Sequence, residues 1–275
     1  MTMSDHPEPA LALGTISHGG IGAGRWRTEA MRSHATARLI HISKGQGRIT
    51  VSGLTNGYGP NNLIYIPPHT MYGMEVGPTV FAQALTIPDS TDWPDAPFHL
   101  RLLDVDPQKE AGSLLEAIER ELQPKGDPRA ADCYYRLFAL FIEKQLRNRD
   151  PANIDSRRST AAAKLVARYT TLIAHDFSTD RSVADYASEL GVTATHLTRC
   201  CRKTSGRSAL ALLNDRIHYE ACVLLKDTAA PIQTIAASLG FQSPAYFTRS
   251  FQEKSGQTPS DFRKRTVRGG RQSRA

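Results

Sequence analysis

IAASLGFQSPAYFTRSFQEKSG, residues 235–256, has an earlier counterpart in the same chain, YASELGVTATHLTRCCRKTSG, residues 186–206. Gly191 matches Gly240. Leu197, Arg199, Cys201 and Gly206 match Phe247, Arg249, Phe251 and Gly256, with one extra residue between the glycines of the second copy. Two copies about 50 residues apart predict two similar helical units, since a solenoid needs three or more.

Each copy reads as helix, sharp turn, helix. Ser182 with Asp185 three residues later predicts a capped first helix, and Val183, Tyr186, Ala187 and Leu190 give it an apolar face. Gly191 supplies the positive φ that stops it, and Thr193 caps the next helix, expected over 194–204. In the second copy Ile232, Ile235, Ala236 and Leu239 form the buried face and Gly240 the break. Ser243 caps a helix over 243–254 with Pro244 at its first position, where a missing N–H costs nothing. Thr258-Pro259-Ser260-Asp261 repeats that start signal. Helical spacing turns Leu197, Cys201 and Thr204 inward, and Phe247 and Phe251 likewise, with Phe241 and Tyr246 counted as core. Cys200 is expected as a partly exposed thiol. On the other side lie Thr195, Thr198, Arg199 and Arg202, and Pro244, Ala245, Thr248, Arg249 and Gln252. An arginine in this position is either a solvated surface charge or a reader of guanine O6 and N7 in a major groove. Its recurrence in both copies favours the second. Residues 208–228 read as one long helix with a stripe of Leu210, Leu213, Ile217, Ala221 and Leu224, holding the units at a fixed separation.

Charge follows the same division. From Ser159 onward there are 17 Lys+Arg against 9 Asp+Glu, whereas residues 1–158 carry 17 against 18. The positive excess therefore belongs to the helical part, as expected of a polyanion binder. Six basic residues fall in 263–275, and residues 267–275 are expected to be a disordered basic tail.

These C-terminal residues strongly resemble the DNA-binding domain of the AraC/XylS family of transcriptional regulators. The stretch 232–263 follows the family signature nearly throughout; the first unit matches more loosely, with Cys201 where the family usually has Phe. The resemblance implies a double helix-turn-helix domain over 159–266, reading successive major grooves about 34 Å apart with the second helix of each unit. By position, the implied DNA contacts are Thr195, His196, Thr198, Arg199 and Arg202, then Pro244, Ala245, Thr248 and Arg249. Pro244 and Ala245 carry no side-chain donors, so the second unit is expected to read less sequence.

Upstream, residues 1–105 read as β. ARLIHISKGQGRITVSG (37–53) predicts two strands around a Gly-rich turn, and 61–76 and 79–87 further strands. Strands at this spacing predict a sandwich or small barrel. GQGRITVSG and GPNNLIYIPPHTMYGMEV resemble the two motifs of the family's cupin-like sensing domain. His34 and His41 stand too far apart, and His69 too early, to assemble a cupin metal set, so neither metal nor cofactor is expected. What remains is a barrel with an effector pocket, for which His34, Arg38, His41, Tyr65, His69 and Tyr72 are candidate lining residues. Residues 106–150 predict two helices, packed on the barrel or against another subunit. NRDPANIDSRR contains the linker, taken as 151–158.

The fold class is therefore α+β: a cupin-like β-barrel with a helical pair, then an all-α domain of two helix-turn-helix units. The expected function is an effector-responsive regulator that binds double-stranded DNA, forms a homodimer and contacts RNA polymerase if it activates. The alternative is a barrel used only for assembly or for a protein partner. There is no P-loop, no HExxH and no nucleophile–base arrangement, so an enzyme, including a cupin-type one, is not expected. No run of 18 apolar residues and no signal-peptide pattern occurs, and Cys133, Cys200, Cys201 and Cys222 have no metal spacing. These features point to a cytoplasmic protein with reduced thiols and no membrane contact.

Overall fold

Strand pairing in the computed structural model, which describes residues 10–17, 25–88, 93–149 and 156–272 and side chains as far as Arg265, builds two antiparallel sheets. The strands are β1 (Ala12–Ser17), β2 (Ala37–Lys44), β3 (Gly47–Val51), β4 (Leu54–Tyr58), β5 (Asn62–Ile66), β6 (Tyr72–Met74), β7 (Phe81–Ile87) and β8 (Phe98–Arg101). The five-stranded sheet has the order β1-β7-β2-β5-β8 and the three-stranded sheet β4-β3-β6. The strands expected around the Gly-rich turn do form, but they do not pair as a hairpin. β2 bonds to β5 and β7 while β3 bonds to β4 and β6. Gly45 turns the chain from one sheet to the other at φ +80°, where a Cβ would stand 2.6 Å from the Thr79 carbonyl oxygen. Only glycine permits both.

β2 is buried on both faces, which explains its nearly continuous apolar run. Ile40 and Ile42 join Ile64, Val51 and Met74 between the sheets, where each is at most 3% exposed. Ala37 and Leu39 face the other way, onto α1 (Val105–Glu121) and α2 (Pro128–Arg147). Asp127 caps α2 by accepting from the Arg129 N–H. The helical pair is clamped to the sheet by Leu115, Ile118, Phe138 and Phe141, by Tyr65 stacked on Trp93 at 5.0 Å, and by the Trp93 indole donating to the Tyr135 hydroxyl at 2.8 Å.

The second half is wholly helical: α3 (Ala161–Asp176), α4 (Val183–Glu189), α5 (Ala194–Ser205), α6 (Ala209–Asp227), α7 (Ile232–Ser238), α8 (Pro244–Ser255) and α9 (Pro259–Gln272). The chain is thus mixed α+β, with a sheet-rich first part and a helical second part. Of the linker, residues 151–155 lie outside the described residues. Ser156–Ser159 forms a 3-10 turn, held to β4 by Arg157 donating to the Asn56 side chain.

Two expectations need correction. The tail does not lose structure at 267, because α9 continues to Gln272. Thr258 caps that helix, Phe262 buries its first turn, and an anchored helix then propagates at small cost per residue. The α6 stripe is also broader than periodicity suggests. Leu210 is 54% exposed, whereas Leu212, Asp215, Arg216, Cys222 and Leu225 are buried. A helix covered by two units and a sheet domain has more than one buried face.

The caps and breaks fall as the sequence predicts. Ser182 and Asp185 form a complete capping box, Thr193 accepts from the His196 N–H at 3.2 Å, and Ser243 caps α8 with Pro244 following. Gly191 and Gly240 have φ of +72° and +80°. Their surroundings differ, however. A Cβ on Gly191 meets nothing within 4 Å, whereas one on Gly240 would lie 2.8 Å from the Thr179 carbonyl. Gly191→Ala is therefore expected to cost about 1 kcal/mol for the left-handed backbone alone. Gly240→Ala must in addition displace the turn before α4. Urea denaturation of the two variants should show a clearly lower midpoint for Gly240→Ala; equal midpoints would contradict the close approach.

Candidate nucleic-acid interface

The two units bury matching residues. In α5 Leu197 and Cys201 are fully buried against α3, α4 and α6. In α8 Phe247 and Phe251 are 1% and 3% exposed, packed with Phe262 and Ile235. Gly206 and Gly256 close α5 and α8 in left-handed conformation, at φ +72° and +71°. Burial of one side of each helix leaves a matching outer side. Thr195 and Arg199 are exposed on α5, with Arg202 one turn further on. Pro244, Ala245 and Arg249 are exposed on α8, and Thr198 and Thr248 are half-buried beside the arginines.

The arginines differ in their preparation. Arg199 donates to His196 Nδ1 at 2.9 Å, which requires the tautomer with its proton on Nε2. His196 thus holds the guanidinium along the helix. Arg249 has no hydrogen bond or ion pair among the described residues. The Thr248 hydroxyl is spent on the Pro244 carbonyl at 2.9 Å, so this position offers a methyl and lone pairs but no free donor.

A groove of about 950 Å³ runs between the units. Thr195, Thr198, Arg199 and Arg202 line one side, and Gly240, Phe241 and Tyr246 the other. Leu210, Leu213 and Ile217 of α6 form its floor. The structure therefore gathers most of the first-unit residues expected from sequence, Thr195, Thr198, Arg199 and Arg202, around one concavity, while Pro244, Ala245, Thr248 and Arg249 lie outside its lining.

Tyr246 corrects the sequence reading. It is 59% exposed, touching Phe241 at 5.9 Å and otherwise open to the groove. Its place beside two buried phenylalanines made it look like core, but it lies one residue off the 247/251 row. The signal was present in the helical phase. Cys200 is corrected in the opposite direction: it is 6% exposed, with Sγ 3.6 Å from His196 Nε2. All four cysteines are free, and burial raises the Cys201 thiol to about 12.

The six candidate effector residues do not surround one cavity. Tyr65 and His41 face the helical pair, Tyr65 against Trp93 and Phe98 and His41 beside Gln83. Alternation along β2 puts His41 on the Leu39 side. His34, Arg38 and Tyr72 instead meet at the junction with the helical domain. There His34 lies 5.8 Å from the Tyr72 ring, and burial, then Arg38, Arg32 and Arg216, push its pKa down to about 3. His69, at φ +57°, stacks on His175 of α3 at 5.6 Å. Sequence reasoning missed Arg32 and Trp26, which pack on Tyr219 of α6. Among the described residues no three His, Cys, Asp or Glu side chains group as metal ligands, and no helix is long and apolar enough to cross a membrane.

Side chains of the sheet domain cross the junction. Met31 and Met71 enter the core of the first unit with Val166, Tyr169 and Ile173. The Thr55 hydroxyl donates to the Ser205 carbonyl at 3.3 Å. These contacts use α3, α6, α9 and the C-terminal end of α5, leaving both arginine-bearing faces open.

Two similar capped helix pairs on one central helix, each exposing an arginine at the same place, define a double helix-turn-helix domain. The helix-turn-helix domain family matches residues 186–265. The arabinose operon regulatory protein of Salmonella typhimurium is 32% identical over 81 residues, 30% of this chain and 29% of that protein. A putative AraC-like transcription regulator of Streptomyces antibioticus is 28% identical over 153 residues, 54% of this chain and 50% of its own. ToxT from Vibrio cholerae superposes with a TM-score of 0.44 at 14% identity, over 92% of this chain and 96% of that one. Residues 186–265 of the chain therefore carry a helix-turn-helix domain similar to those of AraC-type transcription regulators. The matches span half or less of the length of these curated relatives.

One buried group gives the domain a pH signature. His218 on α6 is 9% exposed, with its ring 5.0 Å from Phe251 and Nε2 3.5 Å from Cys222 Sγ. Burial, then Lys254, lower its pKa to about 4, against an opposing pull from Asp215. The unfolded chain takes up this proton near pH 6.5 and the folded chain only near 4. Between those values the unfolded state binds more protons, so stability falls as pH drops from about 6.5 toward 4. Thermal midpoints should decline across that window, and His218→Gln should decline less steeply than wild type. An identical slope would remove His218 from the account.

Proposed function

We propose that this chain is a sequence-specific, effector-responsive transcription regulator that reads two successive major grooves with α5 and α8. The observation that carries the reading is the matched exposure of Arg199 and Arg249 on helices whose opposite sides are buried in equivalent ways. A helix of this size fits the major groove, and a guanidinium can give two donors to one guanine. The excess positive charge of the helical half adds sequence-independent attraction to phosphates. Thr195, His196, Thr198 and Arg202 join Arg199 in the first reading head; Pro244, Ala245, Thr248 and Arg249 form the second. Tyr246 adds a hydroxyl to a head otherwise short of polar groups. The domain limits proposed from sequence are kept for the helical pair, 106–150, and for the start of the DNA-binding domain at 159, while its end moves from 266 to the end of α9 at Gln272. A protein with this role works beside the chromosome, in the cytoplasm, and an activator of this kind would contact RNA polymerase.

A homodimer is the proposed assembly. Leu137 and Leu140 of α2 are 51% and 61% exposed. With Cys133 and Lys144 they form a row at steps of four, three and four, the spacing of a helix–helix seam. A second copy of α2 is the occupant this row fits.

Two sets of variants test these readings. Arg199→Ala and Arg249→Ala should each weaken operator binding by about 1–3 kcal/mol and relax specificity at one base position. Selection of bound sites from random DNA followed by titration would measure both, and unchanged affinity in Arg249→Ala would remove α8 from the groove. Leu137→Glu combined with Leu140→Glu should convert a dimer to monomer in analytical ultracentrifugation while leaving half-site binding intact. A dimer that persists would place the assembly surface elsewhere.

A further inference from the structure

Arg199 and Arg249 occupy the same place in the two units, but only Arg199 is held before DNA arrives. Its guanidinium donates to His196 Nδ1 at 2.9 Å, and Cys200 Sγ lies 3.6 Å from His196 Nε2. On α5 these residues stand three and four positions after His196, the spacing at which helical side chains meet. They form one line, from a buried thiol through a half-buried ring to an exposed guanidinium.

The protons give this line a direction. A guanidinium only donates, so His196 Nδ1 must present its lone pair. The neutral ring then carries its proton on Nε2 and donates it to the Cys200 sulfur, a weak acceptor that suits the longer distance. The opposite tautomer would aim an N–H at a cation that cannot accept it. Cys200 therefore favours the ring state that holds Arg199. Only one guanidinium N–H is occupied by His196, and those left exceed the pair that guanine O6 and N7 require.

α8 lacks this arrangement. Tyr246 and Ser250 stand where the first unit has His196 and Cys200. Tyr246 packs on Phe241, the Ser250 hydroxyl does not reach Arg249, and Arg249 makes no hydrogen bond or ion pair among the described residues. A loose arginine must give up rotamer freedom when it docks on a base. Arg199 has given up part of it already, and one orientation also leaves it less able to adapt to a wrong base.

We propose that His196 and Cys200 are positioning residues for Arg199: the thiol sets the tautomer of the ring, the ring sets the orientation of the guanidinium, and α5 discriminates its base more sharply than α8 for that reason. This rests on the reading of Arg199 as a base reader and names what controls it. His196 acts here through Arg199. A partly exposed contact of this kind adds little to folding, so its effect is read at one base pair and not in the stability of the domain.

The test uses the full chain and an operator selected from random DNA. Arg199→Ala and Arg249→Ala identify the base pair that each arginine reads. Discrimination is the ratio of affinities for the operator and for the same duplex with that pair exchanged. Cys200→Ala and His196→Ala should each lower the ratio at the Arg199 pair by about three-fold or more, with the ratio at the Arg249 pair and the affinity for random DNA unchanged. His196→Asn puts an acceptor oxygen near the place of Nδ1 with no tautomer to set. It should keep most of the discrimination and be indifferent to an added Cys200→Ala. Cys201→Ala, in the core behind the same helix, should lower the thermal midpoint and leave the ratio alone. Long-range proton–nitrogen spectra should show the His196 proton on Nε2 in the wild type and a mixture of tautomers in Cys200→Ala.

An unchanged ratio in Cys200→Ala or His196→Ala, an equal fall in Cys201→Ala, or a wild-type proton on Nδ1 overturns the relay. If Arg199→Ala loses discrimination while the His196 and Cys200 variants keep it, the relay falls and the reading of Arg199 stands. If Arg199→Ala changes no base preference, that reading falls and the relay with it.

Discussion

The Asp215 carboxylate, shared by Arg207 and Lys254, is the constraint on which the geometry of the helical half depends. Arg207 follows the glycine that ends α5, and Lys254 sits at the end of α8. One buried anion on α6 therefore fixes the C-terminal ends of both α5 and α8 to the same turn of the central helix. Burying a carboxylate is costly unless both oxygens are satisfied by cations and their hydrogen bonds. Here each oxygen has its own cation. A pair of apolar residues in place of this cluster would pack the helices, but it would not fix their ends with the same directionality. Apolar contacts along α6 supply the stability of the two units, and the ion cluster supplies their relative setting.

That setting explains why the duplicated units are not equally built. The first is closed by a second layer: Tyr169 donates to the Ala209 carbonyl at 2.9 Å, and Met31 and Met71 enter its core from the sandwich. Cys201, smaller than the phenylalanine in the matching place of the second unit, leaves space that those methionines and tyrosines help fill. The second unit relies on its own aromatic cluster, Phe241, Phe247, Phe251 and Phe262, with Trp26 on its edge. The sandwich thus grips the first unit through core packing and the second through one aromatic side chain. The second contact is the easier of the two to change.

Legibility in the sequence followed how local the determining physics was. Caps, glycine breaks and the inward rows of α5 and α8 depend on residues within one or two turns, and they lie where spacing put them. The α+β division and the helical pair were legible for the same reason. Sheet assignment was not, because whether β2 pairs with β3 depends on Thr79 crowding Gly45 from 34 residues away. β1 and β8 are segments whose partners are remote in sequence, whereas β4 pairs with β3 across the two-residue Ser52-Gly53 turn and its signal was local. The effector residues were misplaced by the same non-locality. Alternation along β2 separates His41 from Arg38, but only the packed helices and domains decide which face meets the other domain. Tyr246 was a different kind of miss, since its helical phase already placed it outside the buried row and residue type was allowed to override phase.

The junction itself is electrostatically loaded. Arg32 and Arg216 are 5% and 6% exposed, and Arg38 makes no hydrogen bond or ion pair among the described residues. Arg216 has Glu220 as its one acid partner and lies 3.8 Å over the Phe177 ring, while Arg32 spends its protons on the Thr28 and Ala30 carbonyls and the Tyr72 face. Cation–π contacts and carbonyls solvate these charges without neutralising them. Burial first, and then the positive charge of Arg38, Arg32 and Arg216, keep His34 unprotonated. Docking the two domains therefore concentrates like charge that separation would relieve, and the apolar contacts of Met31, Met71 and Trp26 must outweigh that repulsion.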